Sequence, residues 1–183
     1  MATKSDSSIE REPGVVLRSA RGMGNALARF SRPSGVLLAA AWYGLIWAVS
    51  AHPMLGRPGR ISGSWLLNTG HSLLFGLLAL CWILCLPRRE RWPQVRPGGG
   101  ALVLGLVLAL GILDELHQSY VPGRVMSVSD VFTDLTGAAC VLWICAYCGS
   151  TTASERGLRG RLWLGLAACF AAGGLATFLD GLG

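Results

Sequence analysis

Five apolar stretches, each close to the length of a bilayer-spanning helix, constrain this 183-residue sequence more than any other feature. They fall near residues 34–50, 64–86, 99–119, 129–149 and 161–179. About 20 apolar residues in helical form cross the roughly 30 Å hydrocarbon core of a membrane. Inside that core each backbone N–H and C=O needs a partner within its own segment, so a run of this length is a helix. The expectation is an all-α, polytopic integral membrane bundle of about five transmembrane helices, a multi-pass protein of the cell membrane with the lipid bilayer as its surroundings. Composition agrees: 14% of residues are charged, where a soluble domain carries about a quarter. Three parts are expected. Residues 1–33 form a cytoplasmic basic arm, 34–150 a core of four transmembrane helices, and 151–183 a loop with a fifth helix.

The placement of Lys and Arg predicts orientation. The N-terminal arm holds Lys4, Arg11, Arg18, Arg21, Arg29 and Arg32. The loop after the second segment holds Arg88, Arg89, Arg91 and Arg96, and the loop after the fourth holds Arg156, Arg159 and Arg161. Only Arg57, Arg60 and Arg124 fall on the other side. Thirteen against three puts the N-terminus in the cytoplasm and the C-terminus outside. The same spread describes membrane flanks rather than a groove-reading patch, so a nucleic-acid partner is set aside. Trp65, Trp92, Trp163, Tyr120 and Tyr147 fall near segment ends, where interfacial aromatics belong. The first segment ends in small residues, but its leader is too long for a signal peptide, so no cleavage is expected.

Residues 1–13 are polar and read as disordered. From 15 to 32, Val16, Ala20, Met23, Leu27 and Phe30 share one helical face, while Arg18, Arg21, Asn25, Arg29 and Arg32 share the opposite one. Two readings stand: an amphipathic helix on an anionic leaflet, weakened by Gly22 and Gly24, or a basic flank that only sets topology. All six cysteines (Cys81, Cys85, Cys140, Cys145, Cys148, Cys169) lie in apolar runs and read as inert thiols rather than a disulfide framework. Cys145 and Cys148 have redox spacing, yet no basic neighbour in sequence to lower a thiol pKa.

Against this apolar background the stretch "DELHQSYVPGRVMSVSD", residues 114–130, is dense in ionisable groups. His71 lies roughly 10 Å into the second segment at 1.5 Å per residue. Asp114 and Asp134 lie at a similar depth, roughly 8–9 Å, in the third and fourth segments. A charge in a membrane helix costs a few kcal/mol at least, so these groups face the bundle interior and pair. Asp114, His117 and Gln118 share a face with Gly111 one turn below; Glu115 points about 100° away; Asp130 and Asp134 share a face. Val121-Pro122-Gly123 predicts a turn. Arg124, the cation of that loop, can grip a carboxylate or a phosphate in bidentate fashion. Ser127 or Ser129 is expected to cap the fourth helix.

Taken together, "DELHQSYVPGRVMSVSDVFTDLTGA" resembles the core motif of VanZ-like membrane proteins. The matching positions are Asp114, Glu115, Gln118, Tyr120, Pro122, Gly123, Arg124, Asp130 and Gly137. Weaker resemblance lies at Ser50 and Pro53 and in the helix around Asn68, Thr69 and His71; the similarity spans about 36–149. Two positions depart from the family pattern. Asn68-Thr69 stand where the family usually has Asp-Lys, and Asp134 where it usually has Asn. The first removes a charge pair and the second adds a carboxylate. The resemblance implies a link to glycopeptide resistance, chiefly to teicoplanin, through the cell envelope.

Three function classes remain open. One is a protein that handles envelope or lipid-linked molecules at an extracytoplasmic polar pocket, binding a phosphate-bearing headgroup. There Gln118, Arg124, Asp130, Asp134 and Ser50 would hold the ligand, and His71, Asp114 and Glu115 would do chemistry. The second is an integral-membrane enzyme whose Asp114, Glu115, Asp130, Asp134, His71 and His117 offer ligands for Mg, Mn or Zn, or an acid–base pair without metal. The sequence names no cofactor, and no His-Glu-x-x-His is present. The third is a scaffold subunit in which the polar cluster fixes helix packing. Ala167, Ala171 and Gly174 are expected to form a tight packing face on the fifth helix, against the bundle or a second chain. The oligomeric state is undetermined at this stage.

Overall fold

The computed structural model describes residues 14–27, 29, 31–52, 61–89, 92–124 and 126–181. The arm at 1–13, Phe30, Pro53, Arg57, Arg60 and Arg91 lie outside the described residues. Six helices follow in order: α1 (Val15–Leu27), α2 (Arg32–Ser50), α3 (Ile61–Ile83), α4 (Pro97–Gln118), α5 (Val128–Cys148) and α6 (Glu155–Asp180). Helices α2 to α6 are long and apolar enough to cross a membrane. Their outward faces expose Leu37, Leu66, Leu102, Trp163 and Phe178, the large apolar side chains that a lipid environment stabilises. All five predicted spans are present, with boundaries within a few residues. The exception is α6, which starts six residues earlier than expected, because the Ser154 hydroxyl accepts from Gly157 N at 3.1 Å and nucleates the helix there.

α3 is the central helix: it touches α2, α4, α5 and α6, and packs most extensively on α5. Small residues permit that approach. A Cβ added at Gly137 of α5 would collide with the Ser72 carbonyl of α3, and one at Gly76 would come within 3.3 Å of the Gly137 carbonyl. Ser72 Oγ donates to the Thr133 carbonyl at 2.9 Å, tying the same pair of helices. Such close backbone contact is how membrane helices associate where no hydrophobic driving force acts between them. Phe75, Leu78, Ala79, Val103, Val107 and Ala138 form the apolar core below this contact. Three aromatic side chains add cross-helix hydrogen bonds to carbonyls, Trp42 to Leu74 at 2.9 Å, Tyr43 to Leu110 at 3.0 Å and Trp65 to Phe170 at 3.1 Å, and Trp92 of the α3–α4 connection donates to Cys145 of α5 at 3.1 Å.

One end of the bundle carries α1, the start of α2 and the α5–α6 connection. It also holds a short antiparallel pairing of Arg88–Arg89 with Trp92–Pro93. α1 does form, and Val16 and Ala20 of the expected apolar face pack beside its buried Leu17 against Cys148 and Leu158, while Met23 of that face is exposed. Arg21, expected to face headgroups, donates to the carbonyls of Cys148 at 3.3 Å and Ser150 at 3.2 Å. Glu155 accepts from Val16 N and Leu17 N at 3.3 and 2.9 Å. These orphan donors at the start of α1 find a carboxylate on α6, and docking follows from that capping.

The fifth membrane helix differs from expectation too. Ala167 and Ala171 face outward and Gly174 is half-buried; the buried small residues are Gly165, Cys169, Ala172, Gly173 and Ala176. The packing stripe is thus rotated by about one residue. All six cysteines are free, so they form no disulfide framework.

Candidate functional site

The other end of the bundle gathers the C-terminal ends of α2, α4 and α6 and the N-terminal halves of α3 and α5. Asp114, Glu115 and Gln118 are buried on α4, Asp130 and Asp134 on α5, and Ser50 on α2. Geometry links them. Asp114 Oδ2 accepts from Ser50 Oγ at 2.8 Å and from Gln118 Nε2 at 2.9 Å. Gln118 Nε2 also reaches Glu115 Oε1 at 3.3 Å. Glu115 Oε2 accepts from the backbone N–H of Ser127 at 2.7 Å. Glu115 therefore turns toward α5 and joins Asp114, although helical spacing alone points it elsewhere. The Gln118 amide draws the two carboxylates together.

On the facing side His71 Nδ1 stands 3.3 Å from Asp134 Oδ1. Gly111 makes room for this carboxylate: a Cβ there would sit 2.9 Å from Asp134 Oδ2. One ligand atom each from His71, Asp114 and Glu115 falls within 4.8 Å of the other two. The three segments that share a depth in the sequence do converge.

Several polar atoms in the cluster have no hydrogen-bond partner. Asp114 Oδ1, Asp130 Oδ1, Asp134 Oδ2 and Arg124 Nε are buried without one, and Asp134 Oδ1 has only the 3.3 Å approach of His71. Buried polar groups are paired in the great majority of cases, so this concentration at one end is unusual.

The loop between α4 and α5 behaves in part as its sequence dictates. Arg124 N donates to the Val121 carbonyl at 3.0 Å, with Gly123 at φ 84°. Proline second and a positive-φ glycine third are the signature of a type II turn. Arg124 itself is half-buried and, among the described residues, makes no ion pair, so of the carboxylate or phosphate grip that its sequence allows, the carboxylate one is not formed. Nor does Ser127 cap α5 with its hydroxyl, although it stands at the N-cap position. Ser127 Oγ and Ser129 Oγ instead reach Asp180 Oδ1 of α6 at 2.9 and 2.6 Å. His117 turns away from the carboxylates and stacks on Trp47, 3.9 Å between ring centroids. Asn68 and Thr69 face α6: the Asn68 amide lies 3.3 Å from Thr177 Oγ1, and a Cβ added at Gly173 would collide with Thr69 Oγ1.

Sequence reasoning missed Asp180 and Ser72. Asp180 is the one acid in the last apolar run, and an odd number of spans returns it to the end that holds Asp114, which was the available signal. Ser72 offered none beyond being a small polar residue beside His71. A separate groove of about 420 Å3 lies between α4 and α5 toward the basic end, lined by Val95, Leu104, Leu142, Trp143 and small residues. It carries no ionisable group.

A bundle of five membrane-length helices that buries carboxylates beside a half-buried histidine at one end defines a multi-pass membrane protein. The VanZ/LLP1 family pattern matches residues 34–149, well over half of the chain, and the chain belongs to that family. The match takes in α2 to α5, hence every member of the cluster except Asp180. Comparison with curated proteins and with solved structures returned no match.

Proposed function

We propose that this protein binds the phosphate-bearing headgroup of a lipid-linked cell-envelope molecule in a polar pocket at the extracytoplasmic leaflet. The observation that carries this reading is the set of buried, unpaired polar atoms at one end: carboxylate oxygens from two helices and Arg124 Nε from the loop between them. Leaving charged groups unpaired at membrane depth costs several kcal/mol. Such a cost is retained where a ligand completes the site. Arg124 is the anion clamp, since its guanidinium fork matches phosphate oxygens. Asp130 and Asp134 meet the ligand's hydroxyl or amine groups, and Ser50 and Gln118 hold Asp114 in position. His71, Asp114 and Glu115 are the groups that act on the bound headgroup if it is transformed, with His71 and Asp134 as the acid–base couple. The asymmetry of Lys and Arg supports the extracytoplasmic side. An outer-leaflet envelope ligand also fits the link with teicoplanin resistance implied by the family resemblance.

The test is an untargeted lipid and envelope-precursor profile of a deletion strain, complemented with wild type, Asp114→Asn, His71→Ala or Arg124→Ala. Teicoplanin susceptibility is measured on the same strains. One lipid-linked species should change in the deletion strain and stay changed with the three variants. An unchanged profile throughout overturns the reading in favour of a packing role for the cluster.

A further inference from the structure

We propose that His71, Asp114 and Glu115 form a three-ligand site for a divalent transition-metal ion, Zn2+ or Mn2+. The inference stands independently of any lipid ligand. It begins with placement. A ring nitrogen of His71 and one oxygen each from Asp114 and Glu115 all lie within 4.8 Å of one another. Ligands held about 2.0–2.2 Å from one ion in a tetrahedral arrangement sit about 3.3–3.6 Å apart. Closing on an ion therefore asks each ligand atom to move by up to about 1 Å, within reach of side-chain rotations.

The free valences point the same way. Asp114 is 1% exposed, and its Oδ2 is held by Ser50 and Gln118. Its Oδ1 is buried with no hydrogen-bond partner. A carboxylate with one oxygen fixed and the other vacant is pre-set as a monodentate ligand. Glu115 is fixed in turn by Ser127 N and Gln118. Asp134, 3.3 Å from His71 Nδ1, is placed to orient the imidazole, and ligating histidines usually have such a carboxylate or carbonyl partner. Gly111 keeps the space that Asp134 needs.

Charge closes the argument. Among the described residues, Asp114, Glu115, Asp130 and Asp134 are buried together, and the neighbouring bases are His71 and Arg124. With His71 neutral, as a ligating imidazole must be, four ionised carboxylates against Arg124 leave a deficit of three charges, and a divalent cation cuts it to one. One imidazole with two carboxylates suits ions that accept both nitrogen and oxygen, hence zinc or manganese ahead of calcium. Three protein ligands leave a coordination position open, as in sites that bind water or substrate.

The experiment uses the full chain, purified with its affinity tag removed, stripped with chelator and placed in detergent without added lipid. Zn2+ and Mn2+ are titrated by calorimetry, and bound ion is counted by mass spectrometry. Wild type should take up one ion per chain. His71→Ala, Asp114→Asn and Glu115→Gln should each weaken binding at least about tenfold, a loss of roughly 1.4 kcal/mol, while His52→Ala leaves it unchanged. Circular dichroism and a single gel-filtration peak establish that the variants are folded. Should a variant fail that check, the thermal shift of wild type on adding ion serves as the second readout. No saturable uptake by wild type overturns the proposal, as does uptake that all three variants retain. Neither failure bears on the headgroup reading, which the lipid profile tests separately.

Discussion

The two ends of this bundle treat charge in opposite ways. At the basic end Arg21 donates to two carbonyls, Glu155 caps α1 and pairs with Arg159 at 2.9 Å, and Arg161 lies over the rings of Tyr147 and Trp143 at 3.6 and 5.0 Å. Arg21, Glu155 and Arg161 thereby tie α1, α5 and α6 to one another. At the polar end four carboxylates are buried on two facing helices, and three of them keep an oxygen without a hydrogen-bond partner. Charge that is already partnered stabilises the fold. Buried charge that lacks a partner costs stability and is available to a ligand. The difference therefore separates a structural end from the end at which we propose a ligand binds.

The largest way to break the comparison is to strike what both ends share. Gly137→Leu drives a side chain into the backbone of α3, and overpacking of this kind costs about 3 kcal/mol or more. The variant should fail to give a monodisperse protein in gel filtration. Asp114→Asn is next, and it should separate the ends cleanly. Its folded yield should match wild type, while it fails to restore the envelope profile of the deletion strain. If it vanishes from the membrane instead, the polar end is structural as well.

A smaller effect sharpens the contrast by its sign. Asp130→Asn removes one of the buried unpaired charges, so in metal-free protein it should raise stability by about 1 kcal/mol, seen as a higher Tm in detergent. Gly123→Ala places a Cβ at positive φ and should lower stability by about 1 kcal/mol. It should also reduce complementation, because it displaces the turn that presents Arg124. The smallest effect belongs to the basic end. Arg161→Gln gives up cation–π contacts worth about 0.5–1 kcal/mol, with a slight fall in Tm and full complementation.

Much of this was legible in the residues themselves. The length and polarity of five segments dictate five membrane helices, because unsatisfied backbone groups have no place in hydrocarbon. Pro122 and Gly123 dictate the turn that precedes Arg124, because their backbone preferences are local. Depth along a helix follows from counting residues, which is why His71, Asp114 and Asp134 could be placed at one level. Rotation of one helix against another is different, since it depends on which small residues let backbones approach. Ser72 against Gly137 sets how α3 meets α5, and Gly173 against Thr69 sets the face of α6, one residue away from the stripe that its sequence suggested. The partners of long side chains were equally out of reach. Gln118 turns Glu115 in toward Asp114, Asp180 takes the hydroxyls that would have capped α5, and Trp47 takes His117. Local backbone chemistry and bulk hydrophobicity act along the chain and can be read there; close packing and the sharing of hydrogen bonds act between segments, and only the assembled bundle decides them.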